Sequence, residues 1–178
     1  DVRVLSNSWG GTGYSRALED EIVRAGNYNM LVVASAGNDG LDTDIHPLYP
    51  ASLELPNLLS VAATDQQDRL EAYSNYGTLT VDMAAPGHDI APTPTGGGYS
   101  TGNGTSPAAA LTAGSAALIL SHCNVGTPAL RALLVESVDV VGGLAARTKT
   151  SGRLNVGRAI RACSNGNAPP FVDLLEPV

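Results

Sequence analysis

Apolar and polar positions along this chain fall into alternating blocks with strand-like and helix-like patterns. Val2-Arg3-Val4-Leu5-Ser6 alternates as a strand does and runs into the turn-rich Ser8-Trp9-Gly10-Gly11-Thr12-Gly13. From Ser15 to Ala25, Ala17, Leu18, Ile22 and Ala25 share one helical face while Glu19, Asp20, Glu21 and Arg24 face water, which predicts an amphipathic helix. Met30 to Ala36 is a nearly continuous apolar run stopped by Gly37, as expected of a parallel strand buried on both faces. A polar loop from Asn38 to Ile45 and the segment Pro47-Leu48-Tyr49-Pro50 lead to a second buried strand over Leu58 to Ala63. Thr80 to Ala84 predicts a short strand ended by Pro86-Gly87, and the glycines and hydroxyl residues between Pro92 and Gly104 predict a loop. Ser106 to Ser121 is the longest predicted helix. Pro128 to Val138 is another, opened by Thr127 with Pro128 at its first position, and Arg153 to Ala162 is a last short one. Strands alternating with helices predict an α/β layered fold with a largely parallel sheet flanked by helices. Residues 1–163 read as one domain or a large piece of one, and 164–178, with Pro169-Pro170 and scattered acids, as a poorly ordered tail.

Composition narrows the classes. With 178 residues and 43% hydrophobic content the chain can bury one sizeable core. A formal net charge of -7 gives no electrostatic footprint for nucleic acid or an anionic membrane. The longest apolar stretch, Ala108 to Leu120, is too short for a bilayer span and is broken by Thr112, Gly114 and Ser115, so it reads as a buried helix. The chain opens on Asp1 directly into a strand-like run, with no Met, basic stretch or cleavage site, and is expected to be internal to a longer precursor. Two cysteines, Cys123 and Cys163, say little about compartment, but each ends a predicted helix of one layer and they are expected to pair if the protein is secreted.

Two segments carry candidate chemistry. Gly102-Asn103-Gly104-Thr105-Ser106 sets a hydroxyl where a glycine-rich loop becomes a long apolar helix, at the positive end where free N–H groups can stabilise an oxyanion. Taken alone, Thr105 or Ser106 as a plain N-cap is the simpler reading. Val32 to Asn38 is an apolar strand ending in a small residue, a glycine and an amide, and such an amide can donate to a developing oxyanion. Taken alone, Asn38 and Gly40 as a plain turn is the simpler reading there too.

Together with Asn7-Ser8-Trp9-Gly10-Gly11, Tyr49-Pro50-Ala51-Ser52 and Ala84-Ala85-Pro86-Gly87, these segments resemble the subtilisin family of serine peptidases in sequence, order and spacing, from Val2 to Cys163. The resemblance implies Ser106 as nucleophile and the Asn38 amide, with the Ser106 N–H, as oxyanion donors. It implies that Ser8, Trp9 and Gly10 form one wall of the substrate site and Ser35, Ala36 and Gly37 the other. Leu48 would lie at the floor of the S1 pocket, where an apolar residue and no nearby Asp argue against strict selection of Lys or Arg. A polypeptide substrate would then add as a strand. The resemblance also implies a structural Ca²⁺ at Asp82 with carbonyls of Pro56 and Leu58, and a secreted protein or one of the secretory or vacuolar system.

Departures from the family pattern matter as well. Pro107, Ala110 and Leu111 stand where the family usually carries Met, Pro and His; Pro107 is compatible with the first helical turn, and the Ser106 hydroxyl is unaffected. The family order Asp, His, Ser puts the first two motifs upstream of Ser8, and none of His46, His88 and His122 stands in a His-Gly-Thr setting. The expectation is therefore a serine endopeptidase whose catalytic Asp and His come from an upstream part of the same domain, the 178-residue chain being close to inactive by itself. The alternative is a subtilisin-like pseudopeptidase that binds protein chains without cleaving them. An α/β-hydrolase is excluded by Ala108 in the last place of the elbow and by the absence of a histidine after His122, and a dinucleotide fingerprint by Arg16 in its third glycine position.

Overall fold

The computed structural model describes residues 2–91, 96–97 and 101–164. Of the tail read from the sequence over 164–178, residues 165–178 lie outside these residues, as does part of the loop before Ser106.

A six-stranded sheet runs in the order β1 (Val4–Asn7), β2 (Leu31–Ser35), β3 (Leu58–Thr64), β4 (Met83–Pro86), β6 (Gly152–Arg153) and β5 (Asp139–Val140). All neighbours pair in parallel except β5 with β6. Every residue of β2 and β3 is buried, as their unbroken apolar runs require of central strands covered on both faces. Alternation along these strands divides two cores. Val32 and Leu58 meet Ile22 of helix α1 (Arg16–Asn27) on one face. Leu31, Val33, Leu59 and Val61 meet α2 (Thr105–His122) and α3 (Thr127–Glu136) on the other. The buried face of α2 is small, with Ala108, Ala109, Thr112, Ala113 and Ala116, so the helix lies close against the sheet.

Helix α4 (Val156–Ser164) packs beside α2 and α3. A disulfide joins Cys123, the C-cap of α2, to Cys163 near the end of α4, the pairing expected from the sequence for a secreted protein. Among the described residues no single helix is long and apolar enough to cross a membrane. Strand β1 stands at one edge of the sheet, and on α2 an apolar stripe remains open, with Leu111 at 40% and Leu118 at 45% exposure.

Three expectations are corrected. The strand predicted over Thr80 to Ala84 begins instead at Met83, because the backbone N–H groups of Thr78, Leu79 and Thr80 all donate to the Asp44 carboxylate and form a turn. The helix predicted to Val138 stops at Glu136, and the one predicted from Arg153 starts at Val156. Between them lies the short β5–β6 pair. A Cβ on Gly152 would come 2.2 Å from Val138 Cγ2, so only glycine lets β6 close on that residue, and Asn155 caps α4 by accepting from Arg158 N at 2.8 Å.

Candidate active site

The parallel strands all end on the same side of the sheet, the place where open α/β sheets gather functional groups. Beyond β2 the chain passes through buried Ala36 to Gly37, whose φ of 106° favours glycine, and then to exposed Asn38. At the start of α2, Gly104 has φ 150° and is followed by fully buried Thr105 and half-buried Ser106. Thr105 joins the two loops: its N (2.8 Å) and Oγ1 (2.9 Å) both donate to Asn38 Oδ1, and Oγ1 accepts from Gly37 N at 3.1 Å. The amide of Asn38 is thereby oriented with its oxygen committed. A Cβ built on Gly104 would lie 3.5 Å from Asn38 Nδ2, so the NH₂ end borders the loop that leads into Ser106.

The end of β4 supports this junction from below. Gly104 N donates to Gly87 O at 2.9 Å, and a Cβ on Gly87 would fall 2.5 Å from Gly104 O, so the close approach requires glycine. Ser106 occupies the second position of α2, where a backbone N–H has no intrahelical partner. Among the described residues its N–H and its Oγ make no hydrogen bond. A hydroxyl, a free N–H at a helix N-terminus and an oriented amide thus come together.

The predicted substrate walls stand beside it. Ser8 Oγ donates to Ser106 O at 3.2 Å, tying the first wall to the start of α2, and Trp9 next to it is 52% exposed. Gly11 and Tyr49 exchange backbone hydrogen bonds of 2.9 and 2.8 Å. Leu48 lies between the walls: a Cβ on Gly10 would come 2.9 Å from Leu48 Cδ2, and one on Gly37 2.7 Å from the same atom. Ser35 and Ala36 are buried, so they can offer a substrate little beyond backbone.

Sequence reasoning missed the groups that hold this loop. Asn75 donates from Nδ2 to Ala36 O and accepts at Oδ1 from Asp39 N and Leu41 N. Tyr73 donates to Gly87 O at 3.0 Å, and burial, followed by the nearby Glu71 carboxylate, holds its phenol above the usual range, so it serves as a neutral donor. Tyr73-Ser74-Asn75-Tyr76 has no periodicity or motif that marks it as part of the site.

None of the three histidines is arranged as a partner of Ser106. His122 ends α2, with Nδ1 3.0 Å from Leu118 O, and sixteen residues of helix put it about 24 Å from Ser106. His88 is flanked by the carboxylates of Glu71 and Asp89, and His46 is an exposed loop residue.

The residues expected to bind calcium, Asp82, Pro56 and Leu58, also come together along one cavity, but Arg131 and Lys149 line it with them. Asp82 is 3% exposed; its Oδ2 accepts from Ser60 N at 2.8 Å, and its Oδ1 receives Arg131 Nη2 at 2.6 Å with Lys149 Nζ at 3.4 Å. Leu58 O accepts from Arg131 Nε at 2.9 Å. Both carboxylate oxygens of Asp82 and the carbonyl of Leu58 are thus taken by protein donors, and two positive charges stand beside them. As arranged, these residues do not fit the ion.

The model of the subtilase family, peptidase S8, matches residues 1–165. The chain is 39% identical over 159 residues to a thermophilic serine proteinase of Bacillus sp. strain AK1, covering 89% of this chain and 38% of that protein. It is 35% identical over 160 residues to thermitase of Thermoactinomyces vulgaris, covering 90% and 54%. Among solved structures, a mutant of the protease domain of PatA superposes with a TM-score of 0.81 at 30% identity, over 93% of this chain and 61% of that one. The chain thus spans about two-fifths to one-half the length of these two curated relatives. With the family model covering nearly its whole length and the fold matching as well, the chain belongs to the subtilase family of serine peptidases.

Proposed function

We propose that the intact protein is a serine endopeptidase that cleaves unfolded or loop segments of polypeptides through an acyl-enzyme on Ser106. Ser106 Oγ attacks the scissile carbonyl carbon and gives up its proton to a histidine base. Asn38 Nδ2 and the Ser106 N–H receive the carbonyl oxygen as it becomes negative. The peptide bond then breaks with the proton passing to the leaving amine, and water releases the acyl group by the reverse sequence. The observation that carries this reading is the double hydrogen bond from Thr105 to Asn38 Oδ1, which leaves the donor end of the amide free beside the start of the nucleophile helix.

The histidine and its aspartate come from an upstream part of the same domain. Two features support this: the stretch matched here covers only 38% and 54% of the two relatives, and the edge of β1 and the apolar stripe of Leu111 and Leu118 on α2 are the surfaces such a part would cover. Substrate lies along Ser8 to Gly10 and Ser35 to Gly37, its P1 side chain over the apolar Leu48. The Cys123–Cys163 bridge supports a secreted or secretory-pathway setting.

A fluorophosphonate probe tests the assignment. It should label the intact protein and not its Ser106→Ala variant, and equal labelling of both would sink it. No labelling of an intact protein that still binds unfolded polypeptide would favour a non-catalytic subtilisin-like scaffold.

A further inference from the structure

We propose that Asn75 is the positioning residue of the oxyanion loop: it fixes the backbone that carries Asn38 without touching the Asn38 side chain. This rests on the reading of Asn38 as an oxyanion donor. Asn75 is 2% exposed, and its side chain spends all its hydrogen bonds on one short segment. Its Nδ2 donates to Ala36 O at 3.0 Å, and its Oδ1 accepts from Asp39 N and from Leu41 N, both at 3.0 Å. Its own backbone N donates to Gly37 O at 2.9 Å. The bonds therefore fall on residues 36, 37, 39 and 41, on both sides of position 38.

Gly37 is shaped to this amide. A Cβ there would come 2.3 Å from Asn75 Nδ2, so the loop approaches Asn75 closely only with glycine at that position. Neighbouring backbone extends the clamp, with Gly40 N donating to Tyr73 O at 2.8 Å and Tyr76 N to Leu41 O at 3.0 Å. Thr105 acts on the loop from the nucleophile helix by accepting from Gly37 N and donating to Asn38 Oδ1. The two fixtures divide the task. Asn75 sets where the Cα of Asn38 sits, and Thr105 sets which way its amide points.

A plain structural role would have Asn75 merely satisfying buried backbone groups, at a cost to stability when it is removed. A positioning role adds a kinetic consequence, because an oxyanion donor displaced by an ångström loses most of its effect on the transition state. In the intact enzyme, with the concentration of competent sites set by active-site titration, Asn75→Ala should lower kcat about 10- to 100-fold with KM changed less than about threefold. Asn75→Asp keeps the acceptor for Asp39 N and Leu41 N but sets an anion against Ala36 O, and should give an intermediate loss. It also supplies the readout if the alanine variant does not fold.

The deciding measurement is the double-mutant cycle with Asn38→Ala. If Asn75 acts through Asn38, replacing Asn75 in the Asn38→Ala background should cost less than about threefold. Unchanged kcat per titrated site in the Asn75 variants, or the same loss in both backgrounds, would overturn the proposal while leaving the role of Asn38 intact. Full kcat in Asn38→Ala alone would instead remove the oxyanion reading on which the proposal stands, and the two failures are told apart by that single variant.

Discussion

Asn38 Oδ1 accepts two hydrogen bonds from Thr105, one from N at 2.8 Å and one from Oγ1 at 2.9 Å. Turning the amide over would place an NH₂ against two donors, so the side chain has one favourable orientation. Asn38→Asp retains the acceptor and loses the donor; Asn38→Leu loses both. In the intact enzyme each should lower kcat about 10²- to 10³-fold, with KM changed far less, since the charge that Nδ2 meets arises only during reaction. Asn38→Leu should also cost about 1–3 kcal/mol of stability, because the polar groups of buried Thr105 lose their partner. Calorimetry that shows equal stability losses for the two variants would contradict this division.

The parts of this site that the sequence makes legible are those with a local signature. The glycine before Asn38 and the glycine-rich entry to Ser106 mark sharp changes of backbone direction, and the apolar runs of β2 and β3 mark the central strands. What decides the rest acts over long separations. Asn75 meets Ala36 from 39 residues away, and Asp44 meets Thr80 from 36, which is why the loop brace and the late start of β4 leave no mark in any window of the chain. The β5–β6 pair is two residues on each side, too short for any periodicity, and it is fixed by Asp139 reaching Arg153 and Arg158. The fit of calcium is likewise decided by Arg131, which lies 49 positions from Asp82.

Asp44 gives the domain an acid-sensitive element. Burial acts to raise its pKa, but hydrogen bonds from Thr80, Leu79 and Thr78 outweigh that effect and the net shift is downward from 3.8. A carboxyl with a lowered folded pKa binds fewer protons in the native state than in the unfolded one around these pH values. Its contribution is complete above the unfolded value and is lost as pH falls below about 4 through the lower folded value. Asn in its place keeps one acceptor and no charge. Asp44→Asn should therefore cost about 1 kcal/mol or less at pH 7 and progressively less towards pH 3. Thermal midpoints measured across that range test this, and a deficit that grows in acid would contradict it.

The Cys123–Cys163 bridge closes a loop with a sequence separation of 40, and it stands at the end of α2 remote from Ser106. Cys123→Ser with Cys163→Ser should lower stability by about 2–4 kcal/mol, by releasing the unfolded chain from that constraint. Catalysis at 25 °C should be unaffected per competent site, because the Ser106 end of the helix is held by Thr105, Asn38 and Gly87. A variant that keeps its stability would contradict the first expectation, and one whose kcat per competent site falls would show that the two ends of α2 are not independent in this way.

The last prediction concerns what neutralises Asp82. Its carboxylate is buried at the entrance to β4, accepts from Ser60 of β3 and meets Arg131 of α3, which also donates to Leu58 O at 2.9 Å. One guanidinium thus occupies both a carboxylate and a carbonyl oxygen, and Lys149 at 3.4 Å adds further positive charge. A calcium ion would have to displace these groups before meeting its ligands. The thermal midpoint should therefore owe nothing to calcium at this place: any increment between excess calcium and chelator should be the same in the parent and in Asp82→Asn. Arg131→Met, by contrast, leaves Asp82 with Lys149 alone and Leu58 O without its donor. Breaking a buried ion pair from one side costs about 3–5 kcal/mol, and because the Arg131 side chain is about a quarter exposed, about 2–4 kcal/mol is expected here. Only in that variant are the oxygens of Asp82 and Leu58 released, so calcium should raise its midpoint more than it raises the parent's. A calcium increment in the parent that disappears in Asp82→Asn would mean that the ion, and not Arg131, belongs on this carboxylate.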